Sequence, residues 1–258
     1  MPSRQLFGVY EGPPADSPTD RGVVLCYPYG RDYVAAFRAF RVLAARLTGV
    51  GFHVLRFDYC GTGDSPGEAD DASIRQRIDD ILTAIDWMGE QHGAADVSLV
   101  GLRLGASLAA LAAGECGRVG RLVLWEPIVD GRAEVAEMVA RHHAWLDAQV
   151  LERRGTRALA RDDELLGYRF TASMRRDLEE VSLWSLRTSP APDVRIVSAA
   201  PNPEHDRLAR HLEELGSRVE TVCIAGPKIW ATNPGTEQPV VPTEAVQAIV
   251  RGLQVVQP

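Results

Sequence analysis

The 258-residue sequence lacks several features that would assign a function at once. It has no apolar run of the roughly 18 residues that a membrane-spanning helix needs, and its start lacks the charged-then-apolar profile of a secretion signal. Its four cysteines show no C-x-x-C spacing, which argues against a zinc site or a disulfide framework. The net charge is −7 without a basic block, so neither nucleic acid nor a membrane is an expected partner. From these absences we expect a cytoplasmic protein.

Cofactor motifs are also absent from the sequence. Gly61-Thr62-Gly63 lacks the remaining spacing of a dinucleotide-binding loop. We therefore expect neither an organic cofactor nor a metal. Lys228 is the only lysine among 28 basic residues, a bias that is typical of GC-rich coding.

What the sequence does contain is an alternation of short apolar runs and helical stretches. Apolar runs of this length are typical of strands that are covered on both faces. Their alternation with helices predicts right-handed crossovers and therefore an α/β fold with a doubly wound, mostly parallel sheet. Strands are predicted at 6–10, 23–27, 53–57, 97–100, 122–125, 194–198 and 219–224, and helices at 34–48, 73–92, 105–114, 203–215 and 242–253.

One segment, residues 131–190, interrupts the alternation. Its pattern is charged and almost entirely helical, and it lies between two predicted strands. We interpret it as a helical cap over the site, inserted into a core of residues 1–130 and 191–258. The alternative is a packed side bundle without a role as a lid.

The strongest motif is the segment Val97–Ser107. An apolar strand runs into a Gly-x-x-x-Gly turn, from Gly101 to Gly105, and then into an Ala-rich helix. This pattern is typical of a nucleophile elbow, a strained turn that presents one side chain to the active site. The glycines allow strand and helix to approach closely. At the position of the nucleophile stands Arg103.

A second motif agrees with the first. Residues Gly51–Ser65 are similar to the signature G-x-x-V-x-x-x-D-x-x-G-x-G-x-S that follows the third strand in α/β-hydrolases. With both motifs at the right separation, the chain resembles the α/β-hydrolase superfamily over nearly its whole length. The elbow sequence Gly-Leu-Arg-Leu-Gly resembles that of a bacterial branch, often linked to exosortase or natural-product gene clusters.

This resemblance implies a Ser-His-Asp triad, but all three positions differ. Arg103 replaces the serine, Asn202 stands where the acid is expected, and the loop 225–234 contains no histidine. Attack by serine needs a hydroxyl, a neutral imidazole and a carboxylate. A guanidinium, with a pKa above about 12, replaces none of them at neutral pH. A serine esterase is therefore not expected.

Other nucleophiles and bases are weak alternatives. Ser107 lies one helical turn beyond the elbow, where we expect burial. Cys60 borders the pocket, but without an adjacent histidine its thiol stays mostly protonated. We expect His142 and His143 on a solvated helix face, and His205 in the charged first turn of a helix.

Charged groups are nevertheless expected at the site. Glu126 directly follows the strand 122–125, and Asp130 lies four residues further on. A carboxylate there is placed to pair with Arg103. Arg103 and Glu126 are therefore the predicted catalytic residues, with Arg103 stabilising negative charge and Glu126 or Asp130 moving a proton. The alternative is a structural ion pair that fills a lost active site.

Further residues are expected to bind the substrate. Backbone N–H groups at the Gly30 turn and at Leu104 resemble oxyanion donors, whereas the neighbouring Asp32 is interpreted as a helix cap. The predicted substrate-binding residues are Gly30, Arg31, Tyr33, Leu104, Asp130, Lys228 and Trp230.

Three functions remain open from the sequence. The first is an enzyme that performs an elimination, decarboxylation or ring-forming step on a small acidic acyl intermediate of bacterial biosynthesis. The second is a pseudo-hydrolase that binds a small molecule or a biosynthetic partner without catalysis. The third is a hydrolase that activates water directly, with Glu126 as the base. A homodimer is compatible with each of them.

Overall fold

The computed structural model describes residues 5–15, 19–68, 73–152, 163–165, 167–230 and 240–254. Seven strands form one sheet in the order β1-β3-β2-β4-β5-β8-β9, in which only β1 runs antiparallel to its neighbour. The predicted doubly wound, mostly parallel sheet is therefore confirmed. These strands are β1 (Gly8–Glu11), β2 (Arg21–Cys26), β3 (His53–Phe57), β4 (Asp96–Leu102), β5 (Val119–Trp125), β8 (Asp193–Ser198) and β9 (Arg218–Cys223).

Helices flank the sheet, and their ends follow local sequence signals. The Ser73 hydroxyl accepts the Gln76 N–H at the start of α2, and Gly93 ends that helix in the left-handed region. Helix α1 contacts α7, whereas α2 contacts α3. The helices are α1 (Arg31–Gly49), α2 (Ile74–His92), α3 (Leu104–Cys116), α4 (Gly131–Glu152), α5 (Ala172–Glu179), α6 (Pro203–Glu214) and α7 (Thr243–Gln254).

The elbow glycines are required by close backbone packing. A Cβ added at Gly101 would collide with the backbone of Gly105 and Ala106, and one added at Gly105 would collide with the carbonyl of Tyr27. The Gly-x-x-x-Gly spacing thus seats α3 directly on β4 and β2. This contact fixes the position of the residue between them.

The segment 131–190 is less helical than predicted. Besides α4, α5 and a short 3-10 helix (Leu183–Ser185), it contains a small antiparallel hairpin of β6 (Glu164–Leu165) and β7 (Tyr168–Arg169). The Tyr29 hydroxyl donates to the Arg169 carbonyl (2.8 Å) and so links the hairpin to the loop after β2. The division into core and cap stays a prediction.

Among the described residues, none of the helices has the length and apolarity needed to cross a membrane.

Candidate functional site

The turn at Arg103 has the backbone of a nucleophile elbow. Arg103 has φ 53° and ψ −123°, and it directly precedes α3. Within the described ranges only one other non-glycine residue, Glu126, has a positive φ (48°). Such backbone is sparsely populated by L-residues and clusters at functional sites. The two predicted catalytic residues are thus the two strained ones, each at the carboxyl end of its strand.

The Arg103 side chain is a mostly buried cation between two carboxylates. Its Nη2 donates to Glu134 Oε2 at 2.6 Å, and its Nε lies 3.7 Å from Asp32 Oδ2. The side chain is only 12% exposed, and its guanidinium carbon lies 5.9 Å from the centre of the Trp230 ring. Burial lowers the pKa of Arg103, but the charges of Glu134 and Asp32 outweigh it and raise the pKa above its ordinary value. The group therefore stays cationic.

The predicted pairing of Arg103 with Glu126 or Asp130 is wrong. Glu126 Oε1 accepts the Ala199 N–H (2.5 Å) and so ties the end of β5 to the end of β8. Asp130 Oδ1 accepts the N–H groups of Arg132 (2.8 Å) and Ala133 (3.3 Å) at the start of α4. Asp130 is therefore a helix cap, and the carboxylate that reaches Arg103 belongs to the first turn of α4.

Asp32 is not the helix cap that the sequence predicts, because its side chain lies at the elbow. Gly30 occupies the N-cap position of α1, which leaves the Asp32 side chain to face Arg103. Burial raises the pKa of Asp32 to about 6, the Arg103 charge opposes this rise, and the Glu134 charge adds to it. The carboxyl therefore exchanges its proton near neutral pH, which suits a general acid or base.

A cavity that is partly open to solvent lies between the elbow, the loop after β2 and the 131–190 segment. The two carboxylates contribute to its wall, whereas Arg103 does not. Its charged lining consists of Arg31, Asp32, Glu134, Arg141 and Arg169. Its apolar and aromatic lining consists of Tyr29, Leu104, Ile128, Met138, Leu165, Tyr168, Phe170 and Leu178.

Two helix N-termini converge on this cavity. Gly30 (φ 60°) and Arg103 are the N-cap residues of α1 and α3, and Arg31 and Leu104 are the first residues of these helices. N–H groups in a first turn have no partner within the helix and carry partial positive charge. Gly30, Arg31 and Leu104 all line the cavity, and their role as donors to a substrate oxygen stays a prediction.

The other predicted substrate-binding residues lie elsewhere. The Tyr33 hydroxyl donates to Asp58 Oδ1 (2.8 Å), and burial is the largest cause that raises its pKa. Lys228 is exposed and does not line this cavity. Trp230 packs over Arg103 and lines a second cavity beside β8 and α7. Residues 231–234 of the loop expected to carry the triad histidine lie outside the described residues.

A second polar cluster was missed from the sequence. Ser198 Oγ lies 2.7 Å from His205 Nδ1, and His205 Nε2 lies 3.2 Å from the Pro127 carbonyl. Because a carbonyl only accepts, Nε2 carries the proton and neutral Nδ1 accepts from the Ser198 hydroxyl. Burial lowers the pKa of His205 and favours this neutral form.

The Ser198–His205 pair has the chemistry of a nucleophile and a base, but its surroundings indicate a structural role. Both residues are 3% exposed, although Ser198 belongs to the lining of the second cavity. Both ring nitrogens are engaged, so the imidazole ties β8 and α6 to the loop after β5. Such satisfied buried networks rigidify a fold.

The remaining candidate residues from the sequence each have a defined environment in the structure. Ser107 is buried as expected, and its hydroxyl donates to the Ile128 carbonyl (2.6 Å). The Cys60 thiol donates to the Pro66 carbonyl (3.3 Å). Asn202, at the expected position of the triad acid, caps α6 by accepting the Glu204 N–H (2.9 Å). His143 is exposed as predicted, but His142 is buried, so its expected solvated position is wrong.

In the part of the chain that the structure describes, no three His, Cys, Asp or Glu side chains are grouped so that they could hold a metal ion.

Comparisons with known proteins agree with the fold. Residues 31–184, more than half of the chain, match the sequence profile of the family described as serine aminopeptidase, S33. An acyl transferase of Photobacterium phosphoreum is 39% identical over 71 residues, which are 27% of this chain and 23% of that relative. The chain therefore matches only about a quarter of the length of this relative.

Solved esterase structures share the architecture. The esterase Est1E of Butyrivibrio proteoclasticus, with bound ferulic acid, superposes with a TM-score of 0.63 at 15% identity and covers 98% of this chain and 95% of its own. The Pyrococcus furiosus esterase Pf2001 gives 0.63 at 15% identity, over 98% and 91%. An α/β serine hydrolase homologue from Coxiella burnetii gives 0.56 at 17% identity, over 98% and 93%. At these identities the likeness concerns the fold alone.

Proposed function

The chain belongs to the family described as serine aminopeptidase, S33, within the α/β-hydrolase superfamily, and from this premise we propose an enzyme that hydrolyses a small acidic acyl compound without a serine nucleophile. The reaction takes place in the cavity beside the elbow. We assign the proton transfer to Asp32, with Arg103 as a positioning residue. The substrate is an acyl intermediate of bacterial biosynthesis.

One observation carries this proposal. Asp32 lies in the wall of the cavity, its pKa is raised to about 6 by burial, and its Oδ2 lies 3.7 Å from Arg103 Nε. General bases work best when their pKa lies near the operating pH. Glu126, the base favoured from the sequence, is instead engaged by the backbone N–H of Ala199.

The proposed reaction uses one water molecule and one carboxylate. The ionised Asp32 takes a proton from water, and the water oxygen attacks the acyl carbon. Negative charge then develops on the acyl oxygen, which faces the first-turn N–H groups of Arg31 and Leu104. The bond to the leaving group then breaks, and protonated Asp32 gives its proton to the leaving group. The acyl part is released as a free acid. On a substrate with a β leaving group, the same carboxylate removes the α proton and causes an elimination.

We also propose that residues 131–190 act as a cap over this cavity. Met138, Arg141, Leu165, Tyr168 and Phe170 of this segment form one wall of it. The bond between the Tyr29 hydroxyl and the Arg169 carbonyl holds the hairpin in place. Exclusion of water strengthens the electrostatic interactions inside. The partial match to an acyl transferase is consistent with an acyl substrate.

A second candidate function is a non-catalytic binding protein. The observation that favours it is the 2.6 Å contact between Arg103 and Glu134, which engages the elbow cation in an internal ion pair. In this alternative the cluster is structural, and the cavity holds a small molecule or docks a biosynthetic partner without turnover.

Turnover of defined thioesters separates the two candidates. Purified protein is incubated in ¹⁸O-labelled water with the N-acetylcysteamine thioesters of succinate and of butyrate, and the products are analysed by mass spectrometry. We expect faster hydrolysis of the succinyl thioester, with one ¹⁸O in the released acid. In parallel, the 3-hydroxyglutaryl thioester reports an elimination as loss of water.

Two matched variants test the assignment of the base. Asp32→Asn removes the proton acceptor and is expected to lower the rate by about 10²- to 10⁴-fold. Asp86→Asn, in an exposed ion pair with Arg118, is the control and is expected to leave the rate unchanged. No turnover of any thioester by wild-type protein that binds succinate would favour the binding protein. A wild-type rate in Asp32→Asn would remove Asp32 from the mechanism.

A further inference from the structure

The cavity beside the elbow combines an apolar wall with an excess of positive charge. Three arginines and two carboxylates line it, and Arg103 adds a further cation next to those carboxylates. Protonation of Asp32 enlarges this excess. A cavity with these properties attracts an anion that carries an apolar body.

Two of the three lining arginines, Arg141 and Arg169, differ in how far their side chains are exposed. Arg169 is 62% exposed and lies 3.7 Å from Asp163 Oδ2, at the outer side of the hairpin. Arg141, on α4, is 29% exposed. Electrostatic interactions are stronger where water is partly excluded, so a ligand anion gains more from Arg141 than from Arg169.

Arg141 is also held more loosely than Arg103, although both contact Glu134. Arg103 donates to Glu134 Oε2 at 2.6 Å, whereas Arg141 Nη2 donates to Glu134 Oε1 at 3.4 Å, which is long for a hydrogen bond. The Arg141 Nε is buried and, among the described residues, has no hydrogen-bond partner; Glu137 Oε1 lies 3.9 Å away. A buried donor without a partner is costly, and an arriving carboxylate would satisfy it.

From these contacts we propose that Arg141 is the anion-binding residue of the cavity, and that its ligand is a monocarboxylate with an apolar, ring-bearing body. This inference rests on the proposed function because it concerns the same cavity. The planar guanidinium offers two parallel N–H groups to the carboxylate. The body of the ligand packs against Tyr168, Phe170 and Met138, which line the same cavity.

The test compares an acid with its neutral amide, so that only the charge differs. Binding of 4-phenylbutyrate and 4-phenylbutanamide to the full chain is measured by isothermal titration calorimetry. We expect wild-type protein to prefer the acid by about 10- to 100-fold, the effect of one charged hydrogen-bonding partner. Arg141→Gln should abolish this preference, and Arg141→Lys should keep part of it. Arg169→Gln, at the exposed arginine, is the matched control and should keep nearly all of it.

Two outcomes would overturn the inference. Equal affinity of wild-type protein for acid and amide would show that charge does not guide binding, and this comparison needs no variant. An unchanged preference in Arg141→Gln would assign the anion to another residue. If Arg141→Gln still binds 4-phenylbutanamide, the cavity of this variant is intact. Asp32→Asn should still prefer the acid to the amide, because it keeps Arg141 and removes a negative charge, so a failure of hydrolysis and a failure of anion recognition are separate results.

Discussion

Two polar clusters stand at the same edge of the sheet, and they differ in how completely their groups are satisfied. Glu126, Ser198 and His205 are all at least 92% buried, and their hydrogen bonds lead to backbone groups or to each other. Asp32, Arg103, Glu134 and Arg141 are charged and share one guanidinium–carboxylate network, and two of their N–H donors lack a hydrogen-bond partner among the described residues.

Whether the hydrogen-bonding groups of a cluster are satisfied distinguishes a structural cluster from a functional one better than the types of its residues do. The first cluster contains a hydroxyl beside an imidazole, as a serine hydrolase needs, yet its bonds tie three elements of the fold together. The second cluster contains no nucleophile, but it borders a cavity and keeps unused hydrogen-bonding capacity. Perturbed carboxyl groups in clefts are typical of functional sites.

Removing the central cation should have the largest effect. Arg103→Gln leaves Glu134 and Asp32 as neighbouring buried carboxylates, so we expect a loss of about 3–5 kcal/mol in the free energy of unfolding. Urea denaturation at pH 7 measures this loss. Arg118→Gln, which breaks an exposed ion pair with Asp86, is the control and should cost less than about 1 kcal/mol. Equal losses in both variants would contradict the central role of Arg103.

The second largest effect should be the pH dependence of stability and of turnover that is caused by the titration of Asp32. Its pKa of about 6 in the folded state exceeds the ordinary 3.8, so the folded protein binds more protons between these values. The contribution of Asp32 to stability therefore falls as pH rises from about 4 to 6, by about 3 kcal/mol at most. Asp32→Asn should lack this fall in urea titrations. In wild-type kinetics kcat/KM should rise through a midpoint near pH 6, and a midpoint near 4 would argue against the buried carboxyl.

Ser198→Ala tests the satisfied cluster. The change leaves the buried Nδ1 of His205 without its donor, which should cost about 1–3 kcal/mol of stability. Thioester turnover, measured where both proteins are folded, should stay within twofold of wild type. A loss of turnover in folded Ser198→Ala would instead identify a serine mechanism and reverse the comparison.

Glu126→Gln should have the smallest effect. The amide oxygen of glutamine still accepts the Ala199 N–H, so stability should change by less than about 1 kcal/mol. Turnover should be retained because Asp32, and not Glu126, is the proposed base. A large loss of kcat with unchanged stability would restore Glu126 as the catalytic carboxylate predicted from its position after β5.

The sheet and the elbow were predictable because their signals are local. Apolar runs mark the central strands β2, β4 and β5, and Gly101 and Gly105 mark the close contact between β4 and α3. The hairpin β6–β7 was missed because two strands of two residues each are too short to show a period.

The partners of Arg103 were not predictable, because they depend on where two helices begin. The sequence offers Glu126, Asp130 and Glu134 as carboxylates near one strand end. Asp130 caps the start of α4, and Glu134, in the first turn of this helix, faces the elbow. Likewise, Gly30 occupies the N-cap position of α1, so the Asp32 side chain is not used as a cap. Only tertiary packing decides between these carboxylates.

The left-handed backbone at position 103 persists although no serine occupies it, so the turn belongs to the scaffold and not to the reactive group. Any residue installed there inherits the same backbone between the end of β4 and the start of α3. The elbow is therefore a position whose side chain can be exchanged while the turn is kept: a cysteine there would need Asp32 and Glu134 to be made neutral at the same time, because both now lie against the guanidinium.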